Sequence, residues 1–200
     1  MSDEGARRFG ARWATPKGAL EVWEPSLADA NAVADRLAAF YNEPHNAALL
    51  TNTIVFTPQD VVQFLTDARS DGGLPLLLAR DGELVGDCDL RNIERGVAEL
   101  ALLIGPRALQ GKGLGVLFAV MVLAIGFDAL GLSQVCVVIR PQNEASLRMF
   151  GKVGFVRDEG KAARAYAEED DDVCLSIKRD DFFSRHARGI GEIERQGSRA

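Results

Sequence analysis

Two hundred residues, 47% of them hydrophobic, suit one globular domain that buries roughly 70% of its unfolded surface. A net charge of −6 argues against a nucleic-acid partner, whose phosphates demand a basic face. The longest uncharged apolar stretch, 113–127, is shorter than the roughly twenty residues that span a bilayer, and Arg7, Arg8, Arg12 and Lys17 have no signal-peptide core behind them. Cys88, Cys136 and Cys174 are far apart, odd in number and without metal spacing, so they read as reduced core thiols. The expectation is a soluble, cytoplasmic protein without a metal, a membrane or a nucleic-acid partner.

Residues 1–18 read as a flexible N-terminal segment, and 19–183 as the single domain. Ala19 to Trp23 opens it as a strand. A helix over 27–41 follows, capped by Ser26 or Asp29, with apolar residues at 27, 30, 33, 34, 37 and 40. Residues 42–56, with Pro44, His45 and Asn46, read as irregular. Thr57-Pro58-Gln59-Asp60 carries the cap, proline and acidic third position of another helix, ending near Asp71-Gly72-Gly73. Strands 74–79 and 84–90 flank Arg80-Asp81-Gly82-Glu83 as a hairpin, and 97–104 is the next strand. A helix over 113–130 is apolar on nearly every face, so it must be covered on both sides. Strand 134–139, a short helix over 144–153 and two strands around the acidic run 168–172 complete the domain. The tail 184–200, with Arg185, Arg188, Arg195 and Arg199, reads as polar and loose. The order implies mixed α/β structure with an antiparallel centre.

The segment Gly105-Pro106-Arg107-Ala108-Leu109-Gln110-Gly111-Lys112-Gly113-Leu114-Gly115 lies between an apolar strand and an apolar helix. Its glycines remove side chains that would keep an anion from the backbone, and the helix aims its unpaired N–H groups into the loop. A nucleotide-triphosphate loop is excluded: five residues separate Gly105 from Gly111, and Gly113 follows Lys112 where Ser or Thr is needed. A dinucleotide fingerprint is excluded because Val116 stands where its third glycine belongs. The pattern Gln/Arg-x-x-Gly-x-Gly/Ala fits as Gln110, Gly113 and Gly115.

With Ala98-Glu99-Leu100-Ala101-Leu102-Leu103-Ile104 upstream, Arg140-Pro141-Gln142-Asn143-Glu144-Ala145-Ser146 and Phe150-Gly151-Lys152-Val153-Gly154-Phe155 downstream, and Tyr166 before Asp172-Val173, the chain resembles the GNAT N-acetyltransferases. It is most similar to their ribosomal-protein alanine and spermidine acetyltransferase branch. The resemblance covers residues 74–180 well and the first seventy loosely. It implies a mostly antiparallel central sheet flanked by helices and splayed between strands 97–104 and 134–140. It also implies acetyl-CoA as donor substrate, its pyrophosphate held by Gln110, Gly111, Lys112, Gly113, Leu114 and Gly115. The pantetheine arm would lie along Leu102, Leu103 and Ile104, with Asn143 and Ser146 on the far side. A backbone N–H of that strand would polarise the thioester carbonyl.

Glu99, the one carboxylate in strand 97–104, is the candidate general base, with an edge ion pair to Arg91 or Arg95 as the alternative. Phe150 stands where many relatives carry a proton-donating Tyr, which leaves Ser146 and then Tyr166 as candidate acids. The expected partner is an amine acceptor. At pH 7 an α-amine with pKa near 7.7 is about one-sixth neutral and a lysine about 0.04%, a gap of roughly 3.7 kcal/mol, which favours a peptide or protein α-amine. The alternatives are a polyamine, an aminoglycoside or another small amine, for which the acidic run 168–172 argues, and an inert acyl-CoA-binding sensor. The loosely matching ends leave room for a homodimer.

Overall fold

The structure, a computed structural model, describes residues 9–50 and 54–197. Nine strands form one sheet: β1 (Gly10–Thr15), β2 (Gly18–Trp23), β3 (Leu74–Arg80), β4 (Glu83–Glu94), β5 (Val97–Ile104), β6 (Gln134–Ile139), β7 (Val156–Arg157), β8 (Val173–Lys178) and β9 (Glu194–Gln196). Their order is β7-β8-β6-β5-β4-β3-β2-β1-β9. The helices are α1 (Leu27–Asn42), α2 (Pro44–Leu49), α3 (Pro58–Ser70), α4 (Leu114–Asp128), α5 (Glu144–Val153), α6 (Lys161–Arg164) and α7 (Arg179–Ile190).

Local chemistry accounts for most element ends. Ser26 with Asp29 and Thr57 with Asp60 form reciprocal capping boxes at α1 and α3, each satisfying two otherwise unpaired N–H groups. α4 is buried without interruption from Phe118 to Phe127, as its all-round apolarity requires. It is the crossover that lets β5 and β6 run parallel, whereas all the other paired strands are antiparallel. The main core lies between the sheet and α4, α5 and α7. On the opposite face, Ala34, Leu37 and Tyr41 of α1 pack with Val61 and Leu65 of α3 over Leu77 and Leu84.

Three expectations are corrected. Residues 10–15, within the segment read as flexible, form β1, which pairs with β2 and β9; residues 1–8 lie outside the described residues. The turn is closed by Thr15 Oγ1 donating to Gly18 O at 2.9 Å, with Gly18 at φ 120°. The tail read as loose holds most of α7 and all of β9, because Phe182 and Ile190 recur at helical spacing and are buried, as is Ile193 beyond the helix, while the arginines turn outward; residues 198–200 lie outside the described residues. Phe182 lies 5.2 Å from the Phe127 ring, and Arg179 and Arg195 both pair with Asp128. The stretch read as irregular contains α2, started by the Glu43 carboxylate accepting from Asn46 N and by Pro44; residues 51–53 lie outside the described residues.

Candidate active site

β5 and β6 pair only from Val97↔Gln134 to Glu99↔Cys136 and then diverge. The gap holds a cleft of about 370 Å³, lined on one side by Leu100 to Leu103 and on the other by Val137 to Ile139. Both strands carry peptide groups there that no neighbouring strand takes up, as an amide-bearing arm laid between them needs. Asn143 and Ser146 close the far side. Asn143 is the cap of α5, its Oδ1 accepting from Ser146 N at 3.1 Å, so these two residues are joined by the helix start itself.

The loop at the head of β5 leads into α4. Gly111 and Gly113 hold φ of 70° and 83°, where a side chain would be strained. A Cβ at Gly111 would meet nothing within 4 Å, so the space above the loop is open. Gly115 faces Met149 of α5. Gln110 turns inward: its Nε2 donates to Asn46 Oδ1 at 2.8 Å and to Ile104 O at 2.7 Å. Asn46, fully buried, also donates to Phe40 O and Gly105 O, so α1, α2 and the loop are tied at one amide. Gly105 must be glycine because a Cβ would sit 2.1 Å from the Phe40 ring. Lys17, absent from the sequence-based site, reaches the loop from the β1–β2 turn and donates through Nζ to Lys112 O at 2.6 Å. No local signal marked it; only the strand pairing carries it across 95 residues of sequence.

The floor of the cleft is a polar stripe across β4 and β5. Asp87, Asp89 and Arg91 pair across the strands with Leu103, Ala101 and Glu99. Glu99 is buried and its carboxylate is fully engaged: Arg91 Nε and Nη2 donate to it at 3.0 and 2.8 Å, and Asn92 Nδ2 at 2.9 Å. This is the ion-paired arrangement, with Asn92 held at φ 53°. Asp89 stands 4.0 Å from Arg91, and burial raises its pKa to about 6. Asp87 receives the Tyr41 hydroxyl on Oδ2, while Oδ1 is buried with no hydrogen-bond partner. Burial lifts the Asp87 pKa to about 7, the Tyr41 hydrogen bond opposing the rise and Asp89 adding to it. Burial and the Asp87 charge keep the Tyr41 phenol protonated far above its ordinary range.

The structure therefore gathers Glu99, Leu102, Leu103, Asn143, Ser146 and Tyr166 around one cleft, and sets Gly111 to Gly115 at the start of α4. Tyr166 donates only a long 3.4 Å bond to Asn92 O, and burial raises its pKa. The acidic run is largely self-contained. Asp172 is buried, accepts from Glu168 N and Glu169 N, and pairs with Arg140 at 3.2 Å. Asp87 and Asp89 escaped sequence reading because 87, 89 and 91 alternate with apolar 88 and 90, a pattern indistinguishable from a strand's solvated face.

The sequence matches the family described as acetyltransferase (GNAT) domain over residues 20–156. No curated protein matches it. Solved structures of similar fold include Mycobacterium smegmatis RimJ in complex with CoA-disulfide, with a TM-score of 0.72 and 21% identity over 93% of this chain and 96% of that one. The aminoglycoside acetyltransferase AAC(6')-Ib with coenzyme A and kanamycin gives 0.68 and 18% over 84% and 99%. The ribosomal-protein-S5-alanine acetyltransferase from Vibrio fischeri gives 0.65 and 18% over 86% and 98%. Among the described residues no helix is long and apolar enough to cross a membrane. With the family match spanning more than half its length and the splayed sheet in place, the chain belongs to the GNAT acetyltransferases.

Proposed function

We propose that the protein transfers an acetyl group from acetyl-CoA to the α-amine of a peptide or protein, by direct attack with both substrates bound. One observation carries this reading: β5 and β6 part after Glu99, and the cleft between them is lined by Leu100 to Leu103, Val137 to Ile139 and the Asp87–Asp89 stripe, on the strand that leads into the glycine loop. In this reading the backbone from Gly111 to Gly115, with Lys112 and Lys17, receives the pyrophosphate, the helix dipole adding about 0.3–2 kcal/mol. Leu102 to Ile104 and Asn143 hold the pantetheine arm, and Ser146 lies on the sulfur side. Gln110 serves by fixing the loop from behind rather than by touching the donor, as its two inward bonds argue.

The acceptor side supports a peptide. Leu49, Leu50, Phe56 and Phe64 make an apolar wall beside the carboxylates, suited to a side chain following a terminal amine. A second reading, a polyamine or aminoglycoside, is favoured by the excess of three buried carboxylates, Asp87, Asp89 and Glu99, over the single Arg91 guanidinium. Calorimetry with acetyl-CoA, followed by release of free thiol with an alanine-initiated peptide, spermidine and kanamycin, tests both. Micromolar saturable binding and preferential turnover of the peptide are expected. Binding without turnover of any amine would instead support a sensor, and absence of binding at millimolar donor would overturn the reading.

A further inference from the structure

Three buried carboxylates, Asp87, Asp89 and Glu99, lie along the donor strand, and the register separates them: Asp89 stands against Ala101 and 4.0 Å from Arg91. Asp87 pairs across the sheet with Leu103, in the middle of the segment assigned to the donor arm, so their side chains stand about 4.5–5.5 Å apart at Cβ on the same face. Gly86 draws this part of β4 in: a Cβ there would lie 1.9 Å from Leu103 O. Glu99 is four residues back along β5, about 13 Å at a strand's rise. Its two oxygens already accept three hydrogen bonds, two of them from a guanidinium. Asp87 is 7% exposed, lines the cleft, and has Oδ1 buried without a partner. The other oxygen is held by Tyr41 of α1, which fixes the carboxylate's orientation.

We propose that Asp87 is the catalytic proton acceptor for the amine, with Tyr41 and Glu99 as positioning residues. The assignment rests on the acetyl-transfer reading above. The substrate enters as R–NH3+ and meets the Asp87 carboxylate from the cleft that this residue lines. Its proton passes to the carboxylate, giving R–NH2 and neutral Asp87. The nitrogen lone pair forms the C–N bond at the thioester carbonyl. The C–S bond then breaks, the carbonyl re-forms, and one of the two protons on the acylated nitrogen passes to the departing thiolate, giving the amide and free thiol. Asp87 returns its proton to solvent when the amide leaves. Tyr41 cannot compete as the base, since it is the donor in the pair.

The charged and titratable groups facing Asp87 are Tyr41 on α1 and Asp89 on its own strand, with Arg91 and Glu99 behind Asp89; Cys88 turns to the opposite face, and the cross-strand neighbours Leu77 and Leu103 are neutral. A carboxylate poised near pH 7 matches an α-amine closely and a lysine or polyamine poorly.

The test uses the full chain with an alanine-initiated peptide, spermidine and kanamycin as acceptors and calorimetric acetyl-CoA binding as the activity-independent readout. Asp87→Asn is expected to bind acetyl-CoA within about twofold of the parent. Its kcat/KM at pH 7 should fall at least about 100-fold, and the acid limb near pH 7 should give way to a rise that follows the amine's own deprotonation. Tyr41→Phe removes the hydrogen bond that favours ionised Asp87, so its acid limb should move to higher pH, a shift that loosened packing alone would not produce. Asp87→Asn with more than about a tenth of parental kcat/KM and an unchanged limb overturns the assignment. If Asp87→Asn fails to bind acetyl-CoA, Tyr41→Phe decides: an upward shift supports the proposal and an unmoved limb overturns it. A parent that binds no acetyl-CoA, or acetylates none of the three amines, overturns the transferase reading and this assignment with it.

Discussion

Replacing Glu99 by Gln separates a carboxylate that holds the site together from one that reacts. Glu99 accepts two bonds from Arg91 and one from Asn92, and its side chain is 8% exposed. Breaking a fully buried ion pair by removing one partner costs about 3–5 kcal/mol. Here the Arg91 side chain is 43% exposed and keeps Asp89 4.0 Å away. Water and Asp89 therefore compensate part of the stranded charge, and the expected loss is about 1–2 kcal/mol. For a chain of this length that lowers Tm by about 2–8 °C. The amide can still accept from Arg91, so the stripe should survive, with acetyl-CoA affinity unchanged and turnover within about tenfold of the parent. Thermal melting, calorimetry and released thiol measure the three quantities on one preparation. A Tm within about a degree of the parent, intact donor binding and a 100-fold or greater loss of kcat would rule out a purely structural Glu99, because its carboxylate would then be reacting in spite of Arg91.

Other outcomes follow from the same geometry. Lys17→Ala removes a cation whose Nζ lies against the loop; acetyl-CoA Kd should rise about two- to fivefold at low salt, with the difference shrinking in 0.5 M salt, as calorimetry at two ionic strengths would show. Gly113→Ala forces a side chain to φ 83°, at about 1–2 kcal/mol, so either Tm falls or the loop shifts and donor affinity falls; a variant unchanged in both would contradict the strain argument. Asp87 has a folded pKa near 7 against an ordinary carboxylate value near 4, so its contribution to stability is fully present below about pH 4 and is lost as pH rises through 7. Asp87→Asn should therefore gain stability relative to the parent on going from pH 5 to pH 8 in urea unfolding. A constant difference between the two would show that Asp87 does not titrate in that window.

Much of the fold was legible residue by residue. Ser26-x-x-Asp29 and Thr57-x-x-Asp60 mark helix starts because a capping box is closed within four residues. The all-apolar run of α4 can only be a covered helix, and Gly111 and Gly113 lie where the backbone must turn left-handed. β9 was not legible, since a short edge strand gains its order from a partner more than 170 residues away in sequence, as Gly10↔Gln196 illustrates; β1 pairs locally with β2, but the charged residues in and around it concealed the hairpin. α7 was readable in principle from Phe182 and Ile190, but its arginines outweighed them in a reading by composition.

The family, the glycine loop and the apolar strand before it are readable from residue order alone, because they depend on backbone freedom and side-chain spacing within a few residues. The roles of the carboxylates come instead from long-range packing. Strand alternation put Asp87, Asp89 and Glu99 on one face, but whether that face meets water depends on α1 and α3 packing over it. Burial and a single neighbouring guanidinium then divided their roles, engaging Glu99 with Arg91 and leaving one oxygen of Asp87 without a partner. Charge in a protein is governed by its surroundings, and those are assembled from residues distant in the chain.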